Sequence, residues 1–242
     1  MNYLLRTDRG LVKIDVLTLF PEMFEGVFDH SMLKIARNAG KAEIVIHDLR
    51  DWTDDRHRTA DDKPYGGGPG MVMKIEPVDR AIAELKGPGT KVVLLTPQGE
   101  RYDQAYAKRL SVEKHIVLIC GHYEGFDERI RTLVDAEISA GDYILTCGEI
   151  PAMMICDSVI RLIPGVLGDA ECLLEESFEK NMLEYPQYTR PSEYKDMEVP
   201  EVLLCGDPKK IGKWRTEQAL AKTKERRPDL LARRDDKDHL DH

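Results

Sequence analysis

Three short segments of the chain combine glycine with polar side chains, and each directly follows an apolar run. They are 96–99 (TPQG), 121–125 (GHYEG) and 146–149 (TCGE). Short apolar runs bounded by such residues are typical of buried strands, and parallel α/β sheets bind their ligands beyond the carboxyl ends of the strands. We therefore expect the three segments to converge on one ligand site, although Glu124 taken alone would be an ordinary solvated loop acid.

The familiar nucleotide, nucleophile and metal motifs are absent from the sequence. The glycine loop at 65–71 (YGGGPGM) precedes no GK[ST] and follows no strand, which disfavours an ATP or dinucleotide site and leaves a structural turn as the alternative. The seven histidines form no HxxxH or HExxH pattern, and the five cysteines include no CxxC pair. We therefore predict no metal site, no disulfide framework and no Ser/His/Asp or Cys/His nucleophile.

The charge distribution separates the C-terminal part of the chain from the rest. The net charge is −9, yet residues 206–234 hold ten basic side chains against four acidic ones. A basic segment on an acidic body is compatible with phosphate binding, although a solvated helix face would have the same composition.

No apolar run approaches the roughly 20 residues of a membrane helix, and the N-terminus lacks the apolar stretch of a signal peptide. We expect a cytoplasmic protein that contacts no membrane.

Apolar periodicity predicts an α/β first domain. Strands are predicted at 13–20, 42–47, 91–96, 115–120 and 143–146, and helices at 21–28, 30–38, 75–85, 102–110, 126–133 and 150–163. Strands that alternate with helices, and that are apolar along their length, are typical of a mainly parallel sheet covered on both faces.

A small helical domain is predicted after the α/β domain. Residues 168–176 are acidic and aperiodic, as in a linker, and helices are predicted at 177–182, 208–224 and 229–234, with Trp214 and Leu220 on the apolar face of the middle helix. The predicted organisation is a domain at 1–167, a linker at 168–176 and a helical domain at 177–242.

Seven sequence blocks resemble, in order, those of the bacterial tRNA (guanine-N1)-methyltransferases. The blocks are LTLFPEMF (17–24), DDKPYGGGPGMVMK (61–74), CGHYEGFDER (120–129), GDYILTCGEIPA (141–152), DSVIRLIPGVLG (157–168), EYPQYTRP (184–191) and WRTEQALAKTKERRPDLL (214–231). The resemblance spans about residues 12–232 and leaves the first residues as an extension.

The resemblance implies an enzyme that transfers a methyl group from S-adenosylmethionine to ring nitrogen 1 of the guanosine 3′ to the tRNA anticodon. It also implies the knotted, SPOUT-type fold, in which a mainly parallel sheet contains a deep trefoil knot. General rules of chain topology would not predict a knot. The family further implies a homodimer with shared active sites and a requirement for magnesium, to which no ligand is assigned.

Three loops hold the cofactor in this family, and they correspond here to 95–98, 121–124 and 140–151. The residues that the resemblance assigns to S-adenosylmethionine are Leu95, Pro97, Gln98, Gly121, Tyr123, Glu124, Ala140, Gly141, Tyr143, Leu145, Gly148 and Pro151. The glycines allow close approach of the backbone, and Tyr143 and Leu145 are expected to line the adenine pocket.

Methylation of guanine at nitrogen 1 requires removal of its proton and stabilisation of charge on oxygen 6, roles that suit a carboxylate and an arginine. The family's arginine corresponds to Arg161, which alone would be an ordinary helix-surface residue. Its aspartate corresponds to Glu176, with Glu175 and Asp169 as rival bases. The residues assigned to tRNA phosphates are Lys209, Lys210, Lys213, Arg215, Arg226 and Arg227.

The sequence also departs from the family pattern. Cys147 stands for a glycine beside the expected cofactor, Cys172 for a linker serine, and Glu176 for the aspartate. One alternative is therefore a relative that binds tRNA but has lost catalysis. A nicotinamide-dependent α/β oxidoreductase is another alternative, although its glycine fingerprint is missing.

Overall fold

The computed structural model describes residues 10–167 and 172–232. The chain divides into two compact units, residues 1–168 and 169–242. Strands β1–β9 are Val12–Thr18, Ala42–Asp48, Asp61–Asp62, Val72–Met73, Thr90–Arg101, His115–Cys120, Ala136–Ser139, Glu193–Tyr194 and Met197–Glu198. Helices α1–α7 are Ser31–Asn38, Ile75–Leu85, Gln104–Leu110, Glu149–Ile160, Cys172–Glu175, Glu201–Leu204 and Pro208–Arg226.

The first unit is an α/β structure built on a five-stranded sheet of order β2-β1-β6-β5-β7. All four strand pairings in it are parallel, which confirms the predicted sheet. Buried side chains cover both faces of the sheet. Ile14 and Leu118 belong to the cluster that packs against α1, α3 and α4, whereas Leu17 and Ile119 belong to the cluster that packs against α2. This two-sided burial explains why the strands are apolar along their whole length.

The predicted fifth strand at 143–146 is wrong. The edge strand is β7, which starts seven residues before the predicted strand and pairs in parallel with β5. Residues 143–146 form a loop in which the side chains of Tyr143 and Ile144 are 55% and 81% exposed. An edge strand needs little apolar sequence, because only Ile138 and Ser139 of β7 are buried. The apolar run was therefore a misleading signal for a strand.

Strand β5 continues beyond the predicted end at Thr96. Its register against β7 shifts between Leu95 and Glu100, so that residues 96–99 bulge out of the ladder. Gly99 lies where an added Cβ would overlap the backbone of Glu137 and Ile138. A bulge of this kind redirects the chain at the edge of a sheet, and here it places the TPQG segment next to the loops that follow β6 and β7.

Three predicted helical or linker segments also differ from the structure. Residues 128–132 form a 3-10 helix in place of the longer predicted helix. Residues 177–180 form turns, because Phe178 and Asn181 have φ of +78° and +51°, which an α-helix does not accommodate. Part of the predicted linker, α5, is one helical turn, while Asp169 and the residues up to 171 lie outside the described residues.

The second unit is organised around α7. Asp207 caps this helix by accepting hydrogen bonds from the backbone of Lys209 and Lys210, as expected for an N-cap aspartate. The buried hydroxyl of Thr223 accepts a hydrogen bond from Leu183 N at 2.8 Å, which ties the preceding loop to the helix. A further helical stretch begins at residue 228 and reaches the end of the described residues at 232.

Candidate active site

A cleft of about 450 Å³ lies in the first unit, beside the bulge of β5 and at the carboxyl ends of β6 and β7. It is lined by residues 94–98, 121–128, 138–141 and 143–148, together with Arg131 and Pro151. All twelve residues assigned to the cofactor by resemblance belong to this lining. The three glycine-containing segments that the sequence singled out therefore meet at one site.

Glycine allows the loops after β6 and β7 to touch through their backbones. Gly148 N donates a hydrogen bond to Gly121 O at 2.7 Å. A Cβ added to Gly148 would lie 2.5 Å from Gly121 N and 2.8 Å from the Cα of Cys120. Because both obstacles are backbone atoms, they cannot move aside as a flexible side chain would.

Gly148→Ala should therefore destabilise the first unit and distort the cleft, at a cost of about 1–3 kcal/mol for overpacking. The free energy of unfolding from urea titration measures this effect. Gly87→Ala is the matched control, since a Cβ there meets nothing closer than the Thr90 hydroxyl at 3.9 Å. Equal stability of the two variants would show that the loops are not held in this close contact.

The glycine loop at 65–71 packs against the segment that carries Glu124. Glu124 N donates to Met71 O at 3.1 Å, and an added Cβ on Gly70, whose φ is +80°, would overlap the Glu124 side chain. Just beyond the loop, Met73 N donates to Gly125 O at 3.0 Å. The loop therefore has a structural role, which is to hold the Glu124 segment at the mouth of the cleft.

Two of the acidic side chains that line the cleft are paired with arginines. The guanidinium of Arg129 hydrogen-bonds both carboxylate oxygens of Asp127, which lowers the pKa of that carboxyl. Arg131 contacts Glu128 at 2.9 Å and also reaches Gln98 and Glu137. Arg131 thereby links the bulge of β5 to β7 across one wall of the cleft.

A polar cluster that the sequence did not predict lies at the start of α4. Glu149 is fully buried and accepts a hydrogen bond from the Thr18 hydroxyl at 2.5 Å through Oε1. Cys147 and His122, which both line the cleft, lie close to it. Burial is the main cause that raises the pKa of the Cys147 thiol, and the neighbouring Glu149 carboxylate raises it further. The only local signal for the cluster was a thiol and a carboxylate two residues apart.

The two residues assigned to catalysis lie in different units. Arg161 directly follows α4 in the first unit, where it is half-buried and its backbone N donates to Asp157 O at 3.1 Å. It does not belong to the lining of the cleft. Glu176 is half-buried in the second unit, where it lines a separate cleft of about 520 Å³ together with Glu175, Tyr185 and Arg215.

The rival base Glu175 is engaged by neighbours within the second unit. It accepts a hydrogen bond from the Tyr185 hydroxyl at 3.0 Å, and the Arg215 guanidinium lies 3.8 Å away. That guanidinium also lies over the Tyr185 ring, 4.6 Å from its centroid. Glu175, Tyr185 and Arg215 therefore form one packed group that shapes the wall of the cleft.

The six basic residues assigned to tRNA differ in how they are paired. Arg227 forms two hydrogen bonds with Asp229, Lys210 lies 3.9 Å from Asp207, and Lys213 lies 3.8 Å from Glu217. Arg215 belongs to the packed group with Glu175. Among the residues that the structure describes, Lys209 and Arg226 have no acidic partner within ion-pair distance. Of the six, these two are the side chains most available to an anionic ligand.

Comparison with known proteins identifies close relatives over nearly the whole chain. The family model described as tRNA (Guanine-1)-methyltransferase TrmD matches residues 12–233. A tRNA (guanine-N(1)-)-methyltransferase of Dictyoglomus turgidum is 54% identical over 221 residues, covering 91% of this chain and 90% of the relative. Proteins of the same name from Geobacillus kaustophilus and Staphylococcus epidermidis are 52% and 54% identical, each over 91% of both chains.

Within the described ranges, no helix is both long and apolar enough to cross a membrane.

Proposed function

The chain belongs to the tRNA (guanine-1)-methyltransferase family, and we propose that it methylates ring nitrogen 1 of the guanosine 3′ to the tRNA anticodon. The donor is S-adenosylmethionine, and the enzyme is a methyltransferase of tRNA processing. The observation that most directly supports the proposal is that all twelve residues assigned to the cofactor line one cleft.

The cleft of the first unit fits S-adenosylmethionine. Its volume of about 450 Å³ suits a ligand of that size. Gly121 and Gly148 lie in its wall, and Tyr143 adds an aromatic ring. When bound, the donor would supply a methyl group activated by a positively charged sulfur. The loops around it would orient this group and exclude water, as a displacement requires.

Arg161 and Glu176 are proposed to act on the guanine. The Glu176 carboxylate takes the proton from ring nitrogen 1, while the Arg161 guanidinium stabilises negative charge that gathers on oxygen 6. Glutamate has the same charged group as the aspartate that it replaces, and the reference pKa values differ by only about 0.4 units. The substitution therefore changes the reach of the base and preserves its chemistry.

We also propose the finer features that family membership implies. These are a trefoil knot in the first unit, a homodimer with shared active sites, a cytoplasmic location and a requirement for magnesium. The exposed side chains of Ile150 and Met154 on α4 offer an apolar surface that a second subunit would cover. Since Asp127 and Glu128 in the cleft pair with arginines, magnesium is assigned no residue and no step.

Methyl transfer to unmodified tRNA tests the proposed function. The full chain should transfer labelled methyl groups from S-adenosylmethionine to a transcript with guanosine 3′ to the anticodon, and nuclease digestion should yield 1-methylguanosine. A transcript with adenosine at that position is the control. Binding of both ligands without transfer would establish the alternative, a tRNA-binding relative that has lost catalysis.

Lys209 and Arg226 should contribute directly to tRNA binding, because they have no acidic partner among the described residues. Changing both to alanine should weaken binding and reduce the slope of log K against log salt by about two, since each phosphate contact contributes roughly one. Binding measured by fluorescence anisotropy between low and moderate salt gives this slope.

The control for that measurement is Lys34→Ala, which removes an exposed cation from α1 in the first unit. It should leave the slope unchanged. A wild-type slope in the Lys209 and Arg226 double variant would mean that these two side chains are solvated and contact no phosphate.

A further inference from the structure

The strongest unassigned feature is the partly buried cluster of His122, Cys147 and Glu149. One ligand atom from each residue, a ring nitrogen, the thiol sulfur and a carboxylate oxygen, lies within 4.8 Å of the other two. This is the one such group of three metal-ligating side chains within the described residues. The sequence analysis predicted no metal site, because the three residues match no ligand-spacing motif.

Two polar atoms in the cluster are buried without a hydrogen-bond partner. They are Nδ1 of His122 and Oε2 of Glu149. Such atoms are rare in folded proteins, since a buried polar group without a partner costs about 1–3 kcal/mol. Glu149 is 0% exposed and its other oxygen accepts a hydrogen bond from the Thr18 hydroxyl, so Oε2 is the carboxylate oxygen that is left without a partner.

The arrangement is favourable for capture of an ion. Bonds of about 2.0–2.3 Å in a tetrahedral site separate neighbouring donors by roughly 3.5 Å. The three donor atoms lie within 4.8 Å of one another, so binding of an ion would bring them closer by at most about 1.3 Å. His122 and Cys147 line the cleft, which provides both the entry path for an ion and room for water as a fourth ligand.

We propose that His122, Cys147 and Glu149 form a binding site for a thiophilic divalent cation of the zinc class. A set of one thiolate, one imidazole and one carboxylate matches the ligand preferences of Zn²⁺, whereas Mg²⁺ prefers oxygen ligands alone. Binding forms a bond from the metal to the Cys147 sulfur and releases the thiol proton to solvent.

Metal uptake by the full-length protein tests the proposal without any measurement of activity. Metal-free protein is titrated with Zn²⁺ in competition with a chromogenic chelator, and in parallel with Co²⁺ while thiolate-to-cobalt absorption is recorded. The wild type should bind one ion per chain and develop the thiolate band. Excess Mg²⁺ should not displace the cobalt.

Two variants identify the ligands. Loss of an outer-shell partner costs about 10–100-fold in metal affinity, so loss of a ligand in Cys147→Ser should weaken Zn²⁺ binding by at least about 100-fold and abolish the cobalt band. Glu149→Gln retains an oxygen that accepts from Thr18 but removes the charge, and it should weaken binding similarly. Thermal unfolding of each metal-free variant confirms that it is folded.

Cys205→Ser is the matched control, because Cys205 is an exposed thiol in the second unit. This variant should bind Zn²⁺ as the wild type does. Wild-type uptake by Cys147→Ser, or loss of uptake in Cys205→Ser, would overturn the assignment. So would a wild-type protein that takes up no ion at micromolar Zn²⁺. In each case Cys147 would be a thiol that only fills space beside the cleft.

Discussion

Glu176→Gln should lower the rate of methyl transfer by about 10²–10⁴, the usual contribution of a positioned general base. The amide is nearly the same size as the carboxylate, but it cannot take the proton from guanine nitrogen 1. Affinity for S-adenosylmethionine should be unchanged, because the proposed cofactor cleft lies in the first unit and Glu176 in the second. Single-turnover rates at saturating tRNA measure the effect separately from binding.

Two companion variants make this experiment specific. Glu176→Asp should keep substantial activity, since it restores the carboxylate at the length found in the family. Glu175→Gln should be much less impaired in the chemical step, because Glu175 is held by Tyr185 and Arg215 within the wall of its own cleft. If Glu175→Gln were the inactive variant, the correspondence with the family's aspartate would be shifted by one residue.

Arg161→Ala should reduce the rate of transfer by about 10²–10³, the usual cost of losing one donor that stabilises developing charge. Cofactor binding should remain close to that of the wild type, since Arg161 lies outside the lining of the cleft. Arg161→Lys should recover little activity, because a point charge does not reproduce the planar fork of the guanidinium. Single-turnover kinetics and calorimetric titration of the cofactor separate the two effects.

Arg80→Ala is a suitable control for Arg161. Arg80 is an exposed residue of α2 that hydrogen-bonds Trp52 O at 3.0 Å, and α2 packs on the face of the sheet opposite α4. Its replacement should leave the transfer rate within about twofold of the wild type, as expected of a surface substitution away from the site. Near wild-type turnover of Arg161→Ala would show that Arg161 is an ordinary surface arginine with no role in methyl transfer.

Several elements could be predicted from sequence because their signals are local. The predicted helix at 75–85 and strand at 115–120 coincide with α2 and β6 to the residue. Both have apolar patterns bounded by charged residues or glycine and proline, so neighbours in the chain determine them. The order of strands and helices then predicted a parallel sheet, and the sheet predicted where ligand loops would meet.

Other features depend on contacts between residues far apart in the chain. The edge strand β7 exists because Ile138 and its neighbours pair with β5, about 40 residues away, whereas the more apolar segment 143–146 lines the cleft. The predicted helix at 177–182 fails because Phe178 and Asn181 adopt positive φ. Neither outcome follows from the composition of the segment itself.

By itself, the sequence determined the family of this protein, its parallel α/β unit, its basic helix α7 and twelve of the residues that line one cleft. The tertiary structure decided which charges are already paired and which buried groups meet. Glu149 and Thr18 are 131 residues apart in the chain, yet their side chains are joined by a hydrogen bond inside the protein. Periodicity reports whether a side chain faces the core, but only the packing of distant strands decides which partner it finds there.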